Sequence, residues 1–239
     1  MGRAFEVRKV AMAKTSAAKS KIYSKYGKEI YMAAKAGVPD PEMNPTLKRI
    51  IEKAKKDQVS SDVISRAIDK AKGGSDDNYS SARYEGFGPG TSQLVVECLT
   101  DNVNRTISEV RTCFNKTGGK LGSVLHMFEQ KAVFTFKGLT EDETLMILIE
   151  AGVDVKDYEV EEEFITVYGE PAQYNEIRTA LKDAKPELEF EEDEVEWLPL
   201  ASSSLTDSKE IEQFERLLSM LEELDDVQNV YHNIKEDVE

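Results

Sequence analysis

Three glycines at alternate positions, in the stretch RYEGFGPG (83–90), are the first residues whose type and spacing suggest chemistry. Glycine-rich loops bind phosphates when a strand precedes them and a helix follows, because the helix N-terminus supplies free amide groups. Here a polar stretch precedes Gly86, Gly88 and Gly90, an apolar strand pattern follows them, and no GK[ST] sequence comes after. We therefore interpret these glycines as structural, at positions of positive φ or close backbone approach in an elbow between two domains.

A second glycine-rich stretch, TGGKLG (117–122), follows a predicted helix instead of preceding one. Gly118 and Gly119 are predicted to end that helix, and Gly122 is predicted to let the chain turn toward the next strand. Lysines flank the stretch, so contact with an anion remains an alternative. We assign these glycines to a structural loop as well.

Residue types used in metal sites and nucleophilic catalysis are sparse. His126 and His232 have no cysteine or second histidine at ligand spacing, so we expect no metal site and no cofactor. Cys98 and Cys113 lack CxxC spacing, which favours buried thiols in a cytoplasmic protein over a disulfide framework. The acidic run EELDD (222–226) is interpreted as a solvated surface, with weak cation binding as the alternative. The sequence thus favours a protein that is not an enzyme.

Charge is divided unevenly along the chain. Residues 1–72 carry 17 Lys and Arg against 8 Asp and Glu, a net charge of +9. The remaining residues carry 14 against 38, a net charge of −24. This asymmetry indicates an anionic partner for the basic part, with nucleic acid favoured over a membrane surface. Charge alone leaves open the alternative that the basic and acidic regions are both simply solvated surfaces. No apolar run approaches the roughly 20 residues that span a bilayer, so we expect no membrane association.

Basic side chains recur at helical spacing in this first region. Lysines placed every seven residues, with one more beside them, share a face of the first predicted helix, and shorter basic stripes follow on the next two. Such stripes suit phosphate backbones, which confer affinity without base choice, and nothing resembles a base-reading motif. We expect Lys21, Lys25 and Lys28 to be exposed. The predicted nucleic-acid-binding residues are Lys14, Lys21, Lys25, Lys28, Lys35, Arg49, Lys53, Lys56, Arg66 and Lys70.

Three amphipathic helices are predicted to position these residues. The first ends at Gly37, Asn44 caps the second, and the third stops at Gly73, where the glycine-rich linker GGSDDNYSS begins. Residues 1–75 are therefore predicted to form a basic three-helix bundle.

After the linker the apolar pattern changes from helical spacing to a mixture of strands and helices. We predict an α+β multidomain protein in which two ferredoxin-like α+β units follow the bundle, with one inserted in the other. The first unit is assigned to residues 80–137 plus 199–239, and the inserted unit to residues 138–198.

Local signals define several element boundaries within these units. Asn104 is predicted to cap a helix, and Thr140 with Glu143 forms the pattern of a capping box. The stretches VLHMF (124–128) and AVFTF (132–136) are predicted to pair as a hairpin.

The stretches RYEGFGPG, ECLTDNVNRTISEVR, FNKTGGKLG and DDVQNVYHN closely resemble the YebC/PmpR family. The start of the chain, MGRAFEVRKVAMAKT, is similar to the branch called YeeN-like, and the resemblance covers essentially the whole chain. One departure stands out, because Leu121-Gly122 runs straight into Ser123-Val124 where the family has a few more residues. Any role of that loop tip is open in this chain.

The resemblance implies a cytoplasmic bacterial protein with a helical bundle and two α+β domains. Family members are usually labelled probable transcriptional regulators because some bind promoter DNA, whereas mitochondrial relatives are translational activators. Members have also been tied to ribosomes and to the translation of proline-rich stretches. No enzymatic activity is implied, and there are no catalytic residues to carry over.

Two functions therefore remain open. The first is a DNA-binding transcriptional regulator, which the usual family label favours. The second is a ribosome-associated translation factor that contacts ribosomal or transfer RNA, which suits a multidomain protein without a recognition helix. The basic helices serve both functions. We expect a monomer, because the sequence shows no coiled coil and no obvious apolar patch.

Overall fold

The computed structural model describes residues 16–73, 79–155 and 157–235, and within these ranges it contains seven α-helices and eight strands. In chain order the elements are α1 Ser16–Ala36, α2 Pro45–Lys56, α3 Ser61–Lys72, β1 Ser80–Phe87, β2 Gln93–Thr100, α4 Val103–Lys116, β3 Lys120–Leu121, β4 Phe128–Lys137, α5 Glu141–Glu150, β5 Asp157–Glu161, β6 Phe164–Gly169, α6 Tyr174–Ala184, β7 Phe190–Pro199, α7 Ser208–Glu222 and β8 Val227–His232. No helix in the described ranges combines the length and hydropathy that crossing a membrane requires.

Helices α1, α2 and α3 form the predicted three-helix bundle. Each helix contributes apolar side chains to a shared core, among them Ile30 of α1, Leu47 of α2 and Ile64 of α3. Asn44 caps α2 as predicted, because its Oδ1 accepts a hydrogen bond from the Leu47 amide. The Asn44 amide group also donates to the carbonyl of Ala33, so one side chain closes α1 and starts α2.

The first sheet has the strand order β3-β1-β2-β8. In the chain, α4 lies between β2 and β3, and α7 directly precedes β8. Strands β1 and β2 form an antiparallel hairpin from Ser80↔Thr100 to Phe87↔Gln93. Most of the RYEGFGPG stretch therefore lies inside β1, and its last residues form the hairpin turn. The predicted elbow between domains is wrong, because the strand already begins at Ser80 and the stretch continues it.

The second sheet has the strand order β5-β6-β4-β7 and follows the β-α-β-β-α-β pattern of a ferredoxin-like fold. Its strands and helices lie between β3 and α7 in the chain, which confirms the insertion of one α+β unit in the other. Its core is rich in aromatic side chains, among them Phe134, Phe136 and Tyr174. Thr140 and Glu143 form the predicted capping box at the start of α5.

Two local predictions are wrong. Residues 124–136 do not form a hairpin, because a short 3-10 turn at Leu125–Met127 leads into β4, a single strand of ten residues. Asn102, and not Asn104, caps α4 through its Oδ1. Strand β4 pairs with both β6 and β7, so the predicted boundary between residues 137 and 138 falls after a strand of the second sheet.

Contacts divide the described chain into two bodies. One comprises residues 16–123 and 205–230, and the other comprises residues 124–204 and 231–235. The bundle and the first sheet therefore share one body, and the division of the chain into three domains stays a prediction. The contact between the bundle and the first sheet decides where the basic residues point.

Candidate nucleic-acid interface

The predicted basic residues fall into three groups, and Lys14 lies outside the described residues. Lys21, Lys25 and Lys28, called the inner lysines below, are half-buried. Four others are exposed and are called the outer cations: Lys35, Lys56, Arg66 and Lys70. Arg49 and Lys53 of α2 are half-buried. A shared helical face therefore does not give these residues a shared environment.

Lys28 is engaged inside the protein. Its Nζ lies 2.8 Å from Oδ1 of Asp226 and 2.8 Å from the carbonyl oxygen of Asp225, and its side chain is 12% exposed. The expectation that Lys28 is exposed is wrong. The turn between α7 and β8 covers this part of α1 and supplies the oxygen atoms that satisfy the ammonium group.

Asp226 is the centre of a larger polar cluster. Its Oδ2 accepts hydrogen bonds from Arg105 Nη2 at 2.6 Å, Thr106 Oγ1 at 2.8 Å and Thr100 Oγ1 at 3.0 Å. The side chain of Asp226 is only 4% exposed. A buried carboxylate is tolerated where cations and hydroxyl donors surround it in this way. The cluster joins α1, β2, α4 and the α7–β8 turn.

The cluster has an acid–base consequence. Burial by itself would raise the pKa of Asp226, but hydrogen bonds from Arg105, Lys28, Thr106 and Thr100 outweigh burial and hold that pKa well below its usual value. The pKa of Arg105 is raised by its hydrogen bonds to Asp226 and Asp101. Asp226 therefore stays ionised in the folded protein at neutral pH.

The other inner lysines lie near the end of α7 and the start of β8, on either side of that turn. Lys25 Nζ donates to Oδ1 of Asn229 at 2.9 Å. Burial lowers the pKa of Lys21, and the negative charge of Glu222 opposes that decrease. The interpretation of EELDD (222–226) as a solvated surface is thus wrong for Asp226, which is buried. No periodicity in the sequence indicates that α1 lies against this turn.

The outer cations include two lysines that flank one aromatic ring. Lys35 of α1 and Lys70 of α3 place Nζ 5.4 Å and 5.6 Å from the ring centroid of Tyr31. Tyr31 is itself buried and makes an edge contact with Tyr79, with ring centroids 5.7 Å apart. Two ammonium groups from different helices are therefore held over a rigid aromatic support.

Further exposed lysines lie on the same helices, and the stripe pattern did not select them. Lys48, Lys55 and Lys72 are exposed, with Lys48 paired to Glu42 and Lys72 paired to Asp69. Among the outer cations, Arg66 forms an i,i+4 pair with Asp62. Exposed pairs of this kind contribute little energy, so the cations can exchange them for phosphate oxygens.

The glycines of RYEGFGPG have steric roles. A Cβ atom at Gly86 would lie 2.5 Å from the Phe114 ring, because α4 packs directly on β1 at that point. Gly90 has φ +59° in the β1–β2 turn, where a side chain would also meet Glu210. The Gly88 amide donates to the carbonyl of Ser92 within the same turn.

The glycines of TGGKLG close α4 and return the chain to the sheet. The Gly119 amide donates to the carbonyl of Phe114 at 2.8 Å, and Gly118 has φ +81°. A Cβ atom at Gly122 would lie 2.8 Å from the ring of Phe87. These contacts belong to the packing of α4 and β3 against β1.

Cys98 and Cys113 are buried free thiols, and burial raises the pKa of Cys98 to about 12. Thiols of this kind pack as small apolar groups and are poor nucleophiles. Within the described ranges, no group of three or more His, Cys, Asp or Glu side chains is arranged to hold a metal ion.

Family comparisons match nearly the whole chain. The model described as "TACO1/YebC protein N-terminal domain" matches residues 3–74, and the model described as "TACO1/YebC second and third domain" matches residues 79–234. The chain belongs to the TACO1/YebC family. The two matched ranges meet at the linker between the helical bundle and β1.

Relatives of similar length support this membership. A "Probable transcriptional regulatory protein" of Acholeplasma laidlawii is 57% identical, covering 98% of each chain. A protein of the same name from Pseudoalteromonas atlantica is 56% identical, covering 98% of this chain and 97% of the relative. Among solved structures, the conserved hypothetical protein Aq1575 from Aquifex aeolicus matches with a TM-score of 0.78 and 36% identity, covering 95% of this chain and 94% of that one. These relatives match this TACO1/YebC protein over nearly its whole length.

Proposed function

We propose that this TACO1/YebC protein is a non-enzymatic regulator of gene expression that binds DNA through its outer cations. Relatives of more than half identity carry the name of probable transcriptional regulatory proteins, which supports a regulator of this type. The observation that carries the DNA-binding part is the exposure of basic side chains on α1, α2 and α3, in a chain whose remainder is strongly acidic. We further propose that the protein acts in the cytoplasm as a monomer.

The proposed contact is made with phosphates. Lys35 and Lys70 give this phosphate contact its strongest support, because their ammonium groups come from two helices and flank one buried ring. Lysines held in this way bind successive phosphates by charge and spacing, without selecting a base. The acidic remainder of the chain would repel DNA and so confine it to the bundle.

The inner lysines are left out of this proposal. Lys28 is satisfied by Asp226 and by backbone carbonyl groups, and Lys25 by Asn229. Moving these ammonium groups to a phosphate would leave a buried carboxylate without its cation, which is costly. We therefore assign to them the attachment of the bundle to the first sheet.

The salt dependence of DNA binding tests the proposal. We expect the affinity for a fluorescent duplex to fall with salt, with a slope of log K against log salt of roughly −4 for about four phosphate contacts. The double variant Lys35→Glu, Lys70→Glu should weaken binding by about a hundredfold or more at low salt. The matched control Lys137→Glu, Lys209→Glu makes the same charge change at exposed lysines outside the bundle and should bind nearly as the unmodified protein does.

Two results would overturn the proposal. A slope near zero, or equal losses in the two double variants, would remove the bundle as the DNA-binding surface. Crosslinking in cells followed by sequencing of the attached nucleic acid tests the choice of DNA. Recovery of ribosomal RNA without promoter fragments would replace it with the alternative, a ribosome-associated translation factor that uses the same cations.

A further inference from the structure

The turn between α2 and α3 is short and has a defined conformation. Helix α2 ends in a Schellman motif, in which the Val59 amide donates to the carbonyl of Ala54 at 2.8 Å. The Gln58 amide donates to the carbonyl of Lys55, and Gln58 has φ +60°, the left-handed position that glycine usually fills. Ser60 then caps α3 by accepting a hydrogen bond from a main-chain amide of its first turn. Two helices are thus joined by a four-residue turn, the connection found in helix-turn-helix proteins.

Helix α1 holds this turn in place. The Tyr26 hydroxyl group donates to the carboxylate of Asp57, and the Tyr23 hydroxyl group donates to the carbonyl of Gln58 at 3.3 Å. Val59 is buried in the same apolar core as Ile64 of α3. The turn is therefore attached to α1 and to the core of the bundle, which fixes where α3 begins.

The core side and the outer side of α3 are distinct. Ile64 and Ala67 are buried. At 3.6 residues per turn, the exposed residues in the first two turns lie on the opposite half of the helix. The side chains of Asp62 and Arg66 are 66% and 76% exposed. These exposed residues, called the α3 outer face below, are Ser61, Asp62, Ser65 and Arg66.

The α3 outer face carries groups that can hydrogen-bond to the edges of bases. The planar guanidinium of Arg66 matches O6 and N7 of guanine with two N–H groups. Its contact with Asp62 uses Nη2, and a guanidinium has further N–H groups on Nε and Nη1. The Ser65 hydroxyl group can donate or accept, and the Asp62 carboxylate can accept from N4 of cytosine. Both serines are short, so a duplex can approach the helix closely.

Cations lie beyond both ends of the α3 outer face. Lys55 and Lys56 are exposed in the last turn of α2, directly before the turn that leads into α3. Lys70 lies in the last turn of α3, where it shares the Tyr31 ring with Lys35. The twelve residues of α3 span about 18 Å, more than the roughly 12 Å width of a major groove. These cations are therefore far enough apart to reach phosphates on both sides of such a groove.

We propose that α2 and α3 act as a helix-turn-helix unit whose α3 outer face enters the major groove of duplex DNA, with Arg66 contacting guanine. This inference rests on the proposed DNA binding and goes further, because it gives the protein a sequence preference. Lys35 and Lys70 position the helix through phosphates, and the α3 outer face selects base pairs. Double-stranded RNA does not fit, since its major groove is too deep and narrow for side chains to read.

Selection of duplexes from a random pool by the full-length protein tests for this preference. We expect the selected duplexes to share a short sequence that contains guanine, and to bind at least about tenfold more tightly than unselected duplexes. Methylation of that guanine at N7, which lies in the major groove, should block binding.

Variants that keep or reverse charge assign the preference to residues. Arg66→Lys keeps the charge but loses the planar fork, so it should reduce the ratio of affinities for selected and unselected duplexes by about tenfold. Lys35→Glu with Lys70→Glu should instead weaken binding to both duplexes by similar factors, because phosphate contacts carry no sequence information. The matched control Arg111→Lys makes the conservative exchange at an exposed position of α4 and should leave the ratio unchanged.

The outcomes separate this inference from the proposed function. Binding to duplex DNA without any enriched sequence would overturn the base contacts and leave the proposed function in place. A preference that survives both Arg66→Lys and N7 methylation would exclude α3 from the major groove. Equal binding of an RNA duplex with the selected sequence would reduce the contact to backbone charge. Absence of binding to every duplex would overturn the proposed function and this inference together.

Discussion

Lys28 and Lys35 lie one heptad apart on the same helix, yet they occupy opposite kinds of environment. Lys28 is 12% exposed and bound to Asp226, whereas Lys35 is exposed beside Tyr31. The α7–β8 turn contacts α1 at Lys28. Helical spacing therefore tells which residues share a face, and the neighbouring element decides whether that face is available to a partner.

Among the changes that test this comparison, removing the carboxylate of Asp226 should have the largest effect on the stability of the protein. Asp226→Ala leaves the Lys28 ammonium without its anionic partner in a buried site and removes one of two carboxylates from Arg105. We expect the free energy of unfolding to fall by about 3 kcal/mol or more. Urea unfolding followed by circular dichroism measures the change.

Asp225→Ala is the matched control for that variant. Asp225 is exposed and contacts Lys28 only through its backbone carbonyl, which alanine keeps. Its effect should stay within about 0.5 kcal/mol. A loss as large as that of Asp226→Ala would show that the turn, and not the buried carboxylate, stabilises the fold.

Acid should weaken the same cluster. The pKa of Asp226 is lower in the folded protein than in the unfolded chain, so its contribution is complete above about pH 4 and is lost as the pH falls below that value. We expect about 2 kcal/mol of stability to disappear between pH 4 and pH 2 from this group. Urea unfolding of the unmodified protein and of Asp226→Asn over that range isolates it, since the variant should depend less on pH. Parallel curves would contradict the role of Asp226.

Replacing single lysines with methionine should have the smallest effects on stability and should give the clearest difference between Lys28 and Lys35. Lys28→Met removes a charged hydrogen-bond donor from a buried acceptor and should cost about 2 kcal/mol of unfolding free energy. Lys35→Met should change stability by no more than about 0.5 kcal/mol. DNA binding should follow the opposite order, with a loss for Lys35→Met and none for Lys28→Met in the same salt titration. Equal DNA-binding losses would place the inner lysines on the DNA-binding surface after all.

Much of the fold followed from local chemistry. The caps at Asn44 and Thr140 were predictable because a capping side chain bonds to an amide two or three residues away. The hairpin predicted at residues 124–136 failed, since an isolated strand pattern does not reveal which strands will lie beside it. Strand β4 continues through the residues EQK (129–131), because β7 pairs with it across that stretch.

The candidate site was less predictable than the fold. Lys35 and Lys70 were identified as basic residues on helices, but their convergence on Tyr31 depends on how α1 packs against α3. Arg105 and Asp226 were missed entirely, because they are about 120 residues apart in the chain and carry no local signal. Nothing in a solvated-looking acidic run distinguishes the one carboxylate that becomes buried.

The amino-acid sequence by itself determined the basic bundle, the two α+β units, the insertion of one in the other and the family. These features depend on charge balance, apolar periodicity and capping residues, all of which act over a few neighbouring positions. Only the tertiary structure decided which lysines are exposed, which are half-buried against the first sheet, and what the glycines of RYEGFGPG contact. These features depend on contacts between residues far apart in the chain, and such contacts form only when the elements pack together.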